Sequence, residues 1–112
     1  MLTLKGIMMA LEGELLTPGM ELETECSQFF ASDLMSDVLA FIPPGSILMT
    51  GLVNSHVVRT ARLVEVKAIV LVLGKRPAPK VIDEARECQV PIIATGCPMF
   101  EACSRISGSL TE

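Results

Sequence analysis

The sequence predicts an α/β fold, a three-layer α/β/α sandwich around a mostly parallel central sheet. Three observations predict it. First, 112 residues suit one hydrophobic core and leave no room for a second, so residues 1–112 read as a single domain. Second, half of the residues are apolar and only a fifth are charged, which excludes a disordered chain. Third, continuous aliphatic runs recur at 47–50, 68–73 and 92–95, each followed by a stretch with helical apolar spacing. Strands apolar on both faces are covered on both faces, and repeated strand–helix units imply right-handed parallel crossovers.

Taken in order, Leu4, Ile7, Met8 and Leu11 are spaced for one helix face, with Thr3 as N-cap and Gly13 placed to end the helix in a left-handed turn. Leu15 and Leu16 then run extended into Thr17-Pro18-Gly19, a turn in which Pro presets one dihedral and Gly permits the positive one after it. A second extended segment covers Cys26 to Phe30. Ser32 is positioned to cap a second helix with Leu34, Val38, Phe41 and Ile42 on its buried stripe, and Pro43-Pro44-Gly45 stops it. The regular part follows. Strands Ile47 to Thr50, Ala68 to Leu73 and Ile92 to Thr95 alternate with helices that bury Val57, Ala61 and Val64, then Val81, Ala85 and Cys88, then Met99, Cys103 and Ile106. Lys80, Asp83, Glu84, Arg86 and Glu87 face water, and Gly108 is expected to stop the last helix.

Several functions are excluded at this level. A formal charge of −4 and the absence of Trp and Tyr leave neither a basic track for phosphates nor stacking platforms for bases, so nucleic acid is not an expected partner. The longest aliphatic run, 68–73, is far short of the roughly 20 residues that span a bilayer. Glu12 and Glu14 follow the first helix where a signal peptide needs small neutral residues, so the expected location is cytoplasmic. Cys26, Cys88, Cys97 and Cys103 fit neither a disulfide scaffold nor paired zinc ligands, and His56 is the lone histidine, so neither metal nor cofactor is expected. The apolar excess in so small a body points to self-association, most simply a homodimer.

Candidate binding residues gather where the strands end. In parallel sheets ligands bind beyond the carboxyl ends of the strands, where helix N-termini present unpaired amides. Thr50-Gly51, Gly74-Lys75-Arg76 and Thr95-Gly96-Cys97 close the three aliphatic strands, and Asn54 or Ser55 falls at a helix cap. Glycine allows close approach and the two basic residues add charge, so this edge is read as a site for an anionic small molecule. No Gly-x-x-x-x-Gly-Lys-Ser/Thr and no Gly-x-Gly-x-x-Gly is present, so neither common nucleotide loop is supported. Cys97 stands where a helix begins, a setting that generally favours thiolate, and His56 is the imidazole available as its base; together they define a less favoured thiol-enzyme reading. Asp33 and Asp37, four apart, read as dipole-complementing and solvated helix residues, not as a catalytic pair.

Beyond this residue-by-residue reading, Ala31-Ser32-Asp33-Leu34-Met35-Ser36-Asp37-Val38, the strand ending in Thr50, Gly74-Lys75-Arg76-Pro77, Ala85, Pro91-Ile92-Ile93 and Phe100 together resemble the DRTGG domain family. That family is related in fold to the N-terminal domain of HPr kinase/phosphorylase and to those of Mur ligases. The resemblance implies a regulatory or assembly role without an active site, often with dimer contacts. The sequence departs from the pattern in lacking a contiguous Asp-Arg-Thr-Gly-Gly string, and it has Gln28 and Phe29 where similar stand-alone members tend to have glycines. No P-loop is present, so kinase chemistry does not transfer. The expected function is therefore a non-catalytic, ligand-sensing regulatory module. The alternative is an adaptor that docks a partner enzyme.

Overall fold

The computed structural model describes residues 2–110. In chain order these form β1 (Leu2–Thr3), α1 (Leu4–Leu11), β2 (Glu14–Leu15), β3 (Glu25–Cys26), β4 (Phe29–Ala31) and α2 (Met35–Phe41). They continue through β5 (Ile47–Thr50), α3 (Ser55–Leu63), β6 (Ala68–Leu71), α4 (Pro79–Glu87), β7 (Ile92–Ala94) and α5 (Met99–Leu110). The main sheet has five strands in the order β2-β7-β6-β5-β4. Strands β4 to β7 run parallel and β2 pairs antiparallel with β7, which makes the sheet mostly parallel as the sequence predicts. A separate antiparallel pair, β1 with β3, sets Leu2 opposite Cys26.

Alternation along buried strands feeds two cores. Leu48, Ile69, Leu71, Ile92 and Ala94 point to the side covered by α2, α3 and α4, where Val38, Val58, Ala61, Val81 and Ala85 meet them. Ile47, Met49, Ala68, Val70 and Ile93 point to the other side, onto Leu4, Ile7 and Leu11 of α1 and Ala102 and Ile106 of α5. With both faces covered, every residue of β5, β6 and β7 is buried, which is why these strands read as unbroken aliphatic runs. The result is the three-layer α/β/α sandwich.

Local chemistry moves several boundaries. Thr3 caps α1 as expected, its hydroxyl accepting from Gly6 N at 3.1 Å. The left-handed residue after α1 is Glu12, at φ 49°, and not Gly13. Gly13 is small for another reason: a Cβ there would lie 2.9 Å from Ile93 Cγ2 and 3.1 Å from the Ala94 carbonyl oxygen, so the glycine lets the chain enter β2 against β7. The extended segment expected over Cys26 to Phe30 divides into β3 and β4, which belong to different sheets. Ser32 does not cap α2 directly. Its hydroxyl accepts from Leu34 N, and the helix starts at Met35 with no side-chain cap. The buried stripe accordingly runs through Met35, Val38 and Ile42, leaving Leu34 and Phe41 exposed. Strands β6 and β7 stop at Leu71 and Ala94, short of Leu73 and Thr95. Val64 and Cys88 sit half-buried at helix C-caps, and α5 continues through Gly108 to Leu110.

Candidate functional site

The carboxyl ends of β5, β6 and β7 lie side by side, so Thr50, Leu71 and Ala94 finish on one rim. Backbone bonds extend the pairing past the strands: Val72 N donates to the Thr50 carbonyl at 3.2 Å, Leu73 N to that of Cys97 at 2.9 Å and Gly74 N to that of Thr95 at 2.8 Å. The last two bonds need an unusual turn. Leu73 and Gly74 both have positive φ, 63° and 67°, and Lys75 N closes back on the Val72 carbonyl at 3.3 Å. Two consecutive left-handed residues suit a mirror-image turn, and glycine takes the second position without strain.

This turn sends its two basic residues in opposite directions. Arg76 pairs with Glu14 on β2, at one edge of the sheet. Lys75 reaches the other way, where a Cβ on Gly51 would lie 3.6 Å from its Nζ and 3.7 Å from both carboxylate oxygens of Asp33. Asp33 Oδ1 accepts from Gly51 N at 2.7 Å and from the Thr50 hydroxyl at 2.8 Å. The Gly51 N–H, then the Thr50 hydroxyl, and more weakly Lys75 hold the Asp33 carboxyl below the ordinary carboxylate value, against desolvation. Asp33 is thus a rim residue that fastens the end of β4 to the end of β5, and it precedes the first turn of α2. The sequence reads it as a dipole-complementing, solvated helix residue; it instead lies before the helix, and the partners that fix its role are 17 and 18 residues away.

The other expected residues divide into exposed and structural positions. Gly74 and Gly96 are exposed, with open space where a side chain would stand. Thr50 and Thr95 are buried and fully engaged: Thr95 donates to the Leu11 carbonyl at 2.7 Å and accepts from Cys97 N at 3.2 Å. Asn54 caps α3 by accepting from Val57 N, and Ser55 donates to Glu84, tying α3 to α4. Cys97 is buried, its Sγ 3.9 Å from the Leu11 carbonyl oxygen, on the α1/α5 side of the sheet. His56 is exposed on α3, which packs on the opposite side. The structure therefore separates the thiol from its expected base.

Beside Cys97 an open cleft of about 420 Å³ is lined by Leu11, Glu12, Gly96, Pro98, Glu101 and Arg105. Arg105, absent from the sequence-based site, donates to the Ala10 carbonyl at 3.3 Å and pairs with Glu101 at 2.8 Å. It closes the carboxyl end of α1, where a cation opposes the helix dipole. A cleft of about 470 Å³ lined by Pro18, Gly19, Met20, Asp83, Arg86, Glu87 and Gln89 lies at the amino end of β7, away from the rim. Among the described residues no group of three or more His, Cys, Asp or Glu is arranged to hold a metal, and no helix is long and apolar enough to cross a membrane. All four cysteines are unpaired.

The sequence model of the DRTGG domain matches residues 6–109. The chain belongs to the DRTGG domain family. A solved structure of similar fold is that of the CBS and DRTGG domains of the regulatory region of Clostridium perfringens pyrophosphatase, complexed with the activator diadenosine tetraphosphate. The two superpose with a TM-score of 0.76 at 18% sequence identity, over 93% of this chain and 45% of that one. This DRTGG domain thus spans less than half of that regulatory region. No curated protein matches the chain. At this identity the likeness establishes the fold, and the Asp33, Lys75 and Arg76 contacts stand on the geometry of this chain.

Proposed function

We propose that this DRTGG domain is a non-catalytic regulatory module, acting in the cytoplasm as a homodimer and sensing a nucleotide-like or other anionic metabolite at the rim of its sheet. The observation that carries this reading is that Gly51, Gly74, Lys75, Arg76 and Gly96 all belong to the loops at the ends of adjacent parallel strands. The nucleotide activator carried by the pyrophosphatase regulatory region supports the ligand class. The basic residues already have carboxylate neighbours, but the Arg76–Glu14 pair is 55% and 62% exposed. Exposed pairs of this kind hold by only about 0–1 kcal/mol, so a phosphate group can displace the carboxylate.

A thermal-shift panel of nucleotides and phosphorylated metabolites tests the reading, with Lys75→Ala and Arg76→Ala as controls. Stabilisation by a phosphorylated compound, weakened in both variants, is the expected result. No shift with any compound would overturn it. A second reading, a docking surface for a partner enzyme, is favoured by Phe100 and Leu73, which are 87% and 57% exposed near the same rim. It predicts that a partner co-purifies with the wild type and is lost with Phe100→Ala, while no metabolite shifts the melting temperature. Light scattering that returns the mass of one chain at micromolar concentration would overturn the dimer.

A further inference from the structure

Resting on the rim as the binding site, we propose that its ligand carries two anionic groups held well apart, one for Lys75 and one for Arg76, as in a linear polyphosphate chain. The opposite reach of these neighbouring residues is the ground for it. Lys75 Nζ stands over Gly51 at the end of β5, and the Arg76 guanidinium stands beside Glu14 on β2. In the strand order these two strands are three positions apart. At ~4.8 Å per strand that separation is about 14 Å. Between them lie the ends of β6 and β7, where a Cβ added at Gly74 or Gly96 would meet nothing within 4 Å.

Two cations so spaced discriminate by length. An orthophosphate or pyrophosphate reaches one cation and leaves the other with its carboxylate. A chain long enough to touch both makes its second contact within the complex, where the effective concentration is high. Chain length also raises total charge, which strengthens binding to any basic surface, so length dependence alone does not identify two-point contact. The separating feature is cooperativity between Lys75 and Arg76 toward the long ligand.

Calorimetric titration of orthophosphate, pyrophosphate, tripolyphosphate and tetrapolyphosphate at fixed ionic strength tests this, on the wild type, Lys75→Ala and Arg76→Ala. The expected result is a rise in affinity of about tenfold or more from pyrophosphate to tetrapolyphosphate in the wild type, lost in either variant. Both side chains are exposed, and circular dichroism checks that the variants remain folded. Equal affinity for pyrophosphate and tetrapolyphosphate overturns the two-point ligand but leaves the rim as a single-anion site. A length dependence that persists in both variants overturns it as general charge attraction. Absence of binding by all four overturns the rim as an anion site altogether.

Discussion

Leu73 donates its N–H to the Cys97 carbonyl at 2.9 Å while holding a φ of 63°, a conformation that leucine seldom adopts. The bond links the loops after β6 and β7 and positions the turn from which Lys75 and Arg76 diverge. A left-handed backbone costs a residue with a Cβ about 1–2 kcal/mol, and the Leu73 side chain is 57% exposed, so it recovers little by burial. Asn tolerates this conformation better. Leu73→Asn is therefore expected to stabilise the fold by about 0.5–1 kcal/mol in urea denaturation. A loss of stability would mean that the leucine side chain packs more effectively than its exposure indicates.

Asp33 supplies a pH-dependent fastening between β4 and β5. Its folded-state value is lowered, chiefly by the Gly51 N–H and then by the Thr50 hydroxyl, so its contribution is fully present above the unfolded value of about 3.9. The contribution is lost as pH falls through the lower folded value. Asp33→Ala removes the shared acceptor of two hydrogen bonds and is expected to cost about 1–2 kcal/mol at pH 7. Asp33→Asn retains an acceptor and should cost less. Urea denaturation at pH 7, 5 and 3 checks the sign: the gap between wild type and Asp33→Asn should be constant at the two higher values and shrink at pH 3.

The contrast between Asp33 and the aliphatic strands marks how far the sequence carries. Ile47, Val70 and Ile92 are legible because burial on both faces writes itself as consecutive apolar residues, and the spacing of Val57 with Ala61 reports a helix in the same way. The convergence of Thr50, Gly74 and Thr95 followed from the parallel order alone. Side-chain direction did not follow. Nothing in the pair Lys75-Arg76 shows that one reaches β5 and the other β2, since that depends on a left-handed turn centred on a leucine. The Cys97–His56 pairing failed because helix period does not say which face of the sheet each helix covers. Boundaries near α2 moved because Ser32 and Asp33 spend their oxygens outside the helix, on Leu34 and on the end of β5.

Two glycines with the same helical or turn setting in the sequence should respond oppositely to alanine. At Gly13 an added Cβ meets Ile93 Cγ2 at 2.9 Å and the Ala94 carbonyl oxygen at 3.1 Å, and backbone cannot yield as a flexible side chain can. Gly13→Ala is expected to cost about 1–3 kcal/mol. At Gly108, inside α5, an added Cβ meets nothing within 4 Å. Gly108→Ala should stabilise by about 0.5–1 kcal/mol, because it removes backbone entropy from the unfolded chain. Paired thermal melts decide the matter, and a neutral Gly13→Ala would mean that β2 can shift away from β7.

Thr95 ties the end of α1 to the loop before α5 through one hydroxyl, which donates to the Leu11 carbonyl at 2.7 Å and accepts from Cys97 N at 3.2 Å. Thr95→Val preserves the side-chain shape and deletes both bonds. It leaves the Leu11 carbonyl and the Cys97 amide short of these partners beside a buried site, at a cost of about 1–3 kcal/mol for an unsatisfied group. The loop carrying Cys97 would then open more often. In the wild type Cys97 is only 7% exposed, and iodoacetamide should reach it more slowly than the half-buried Cys88 and Cys103. Cys26 should also lag, because burial raises its thiol above the ordinary value, with Lys67 opposing. Mass spectrometry of labelling in Thr95→Val should show Cys97 accelerated and Cys26 unchanged. Equal acceleration at both would identify global loosening and remove Thr95 as the local anchor of the rim.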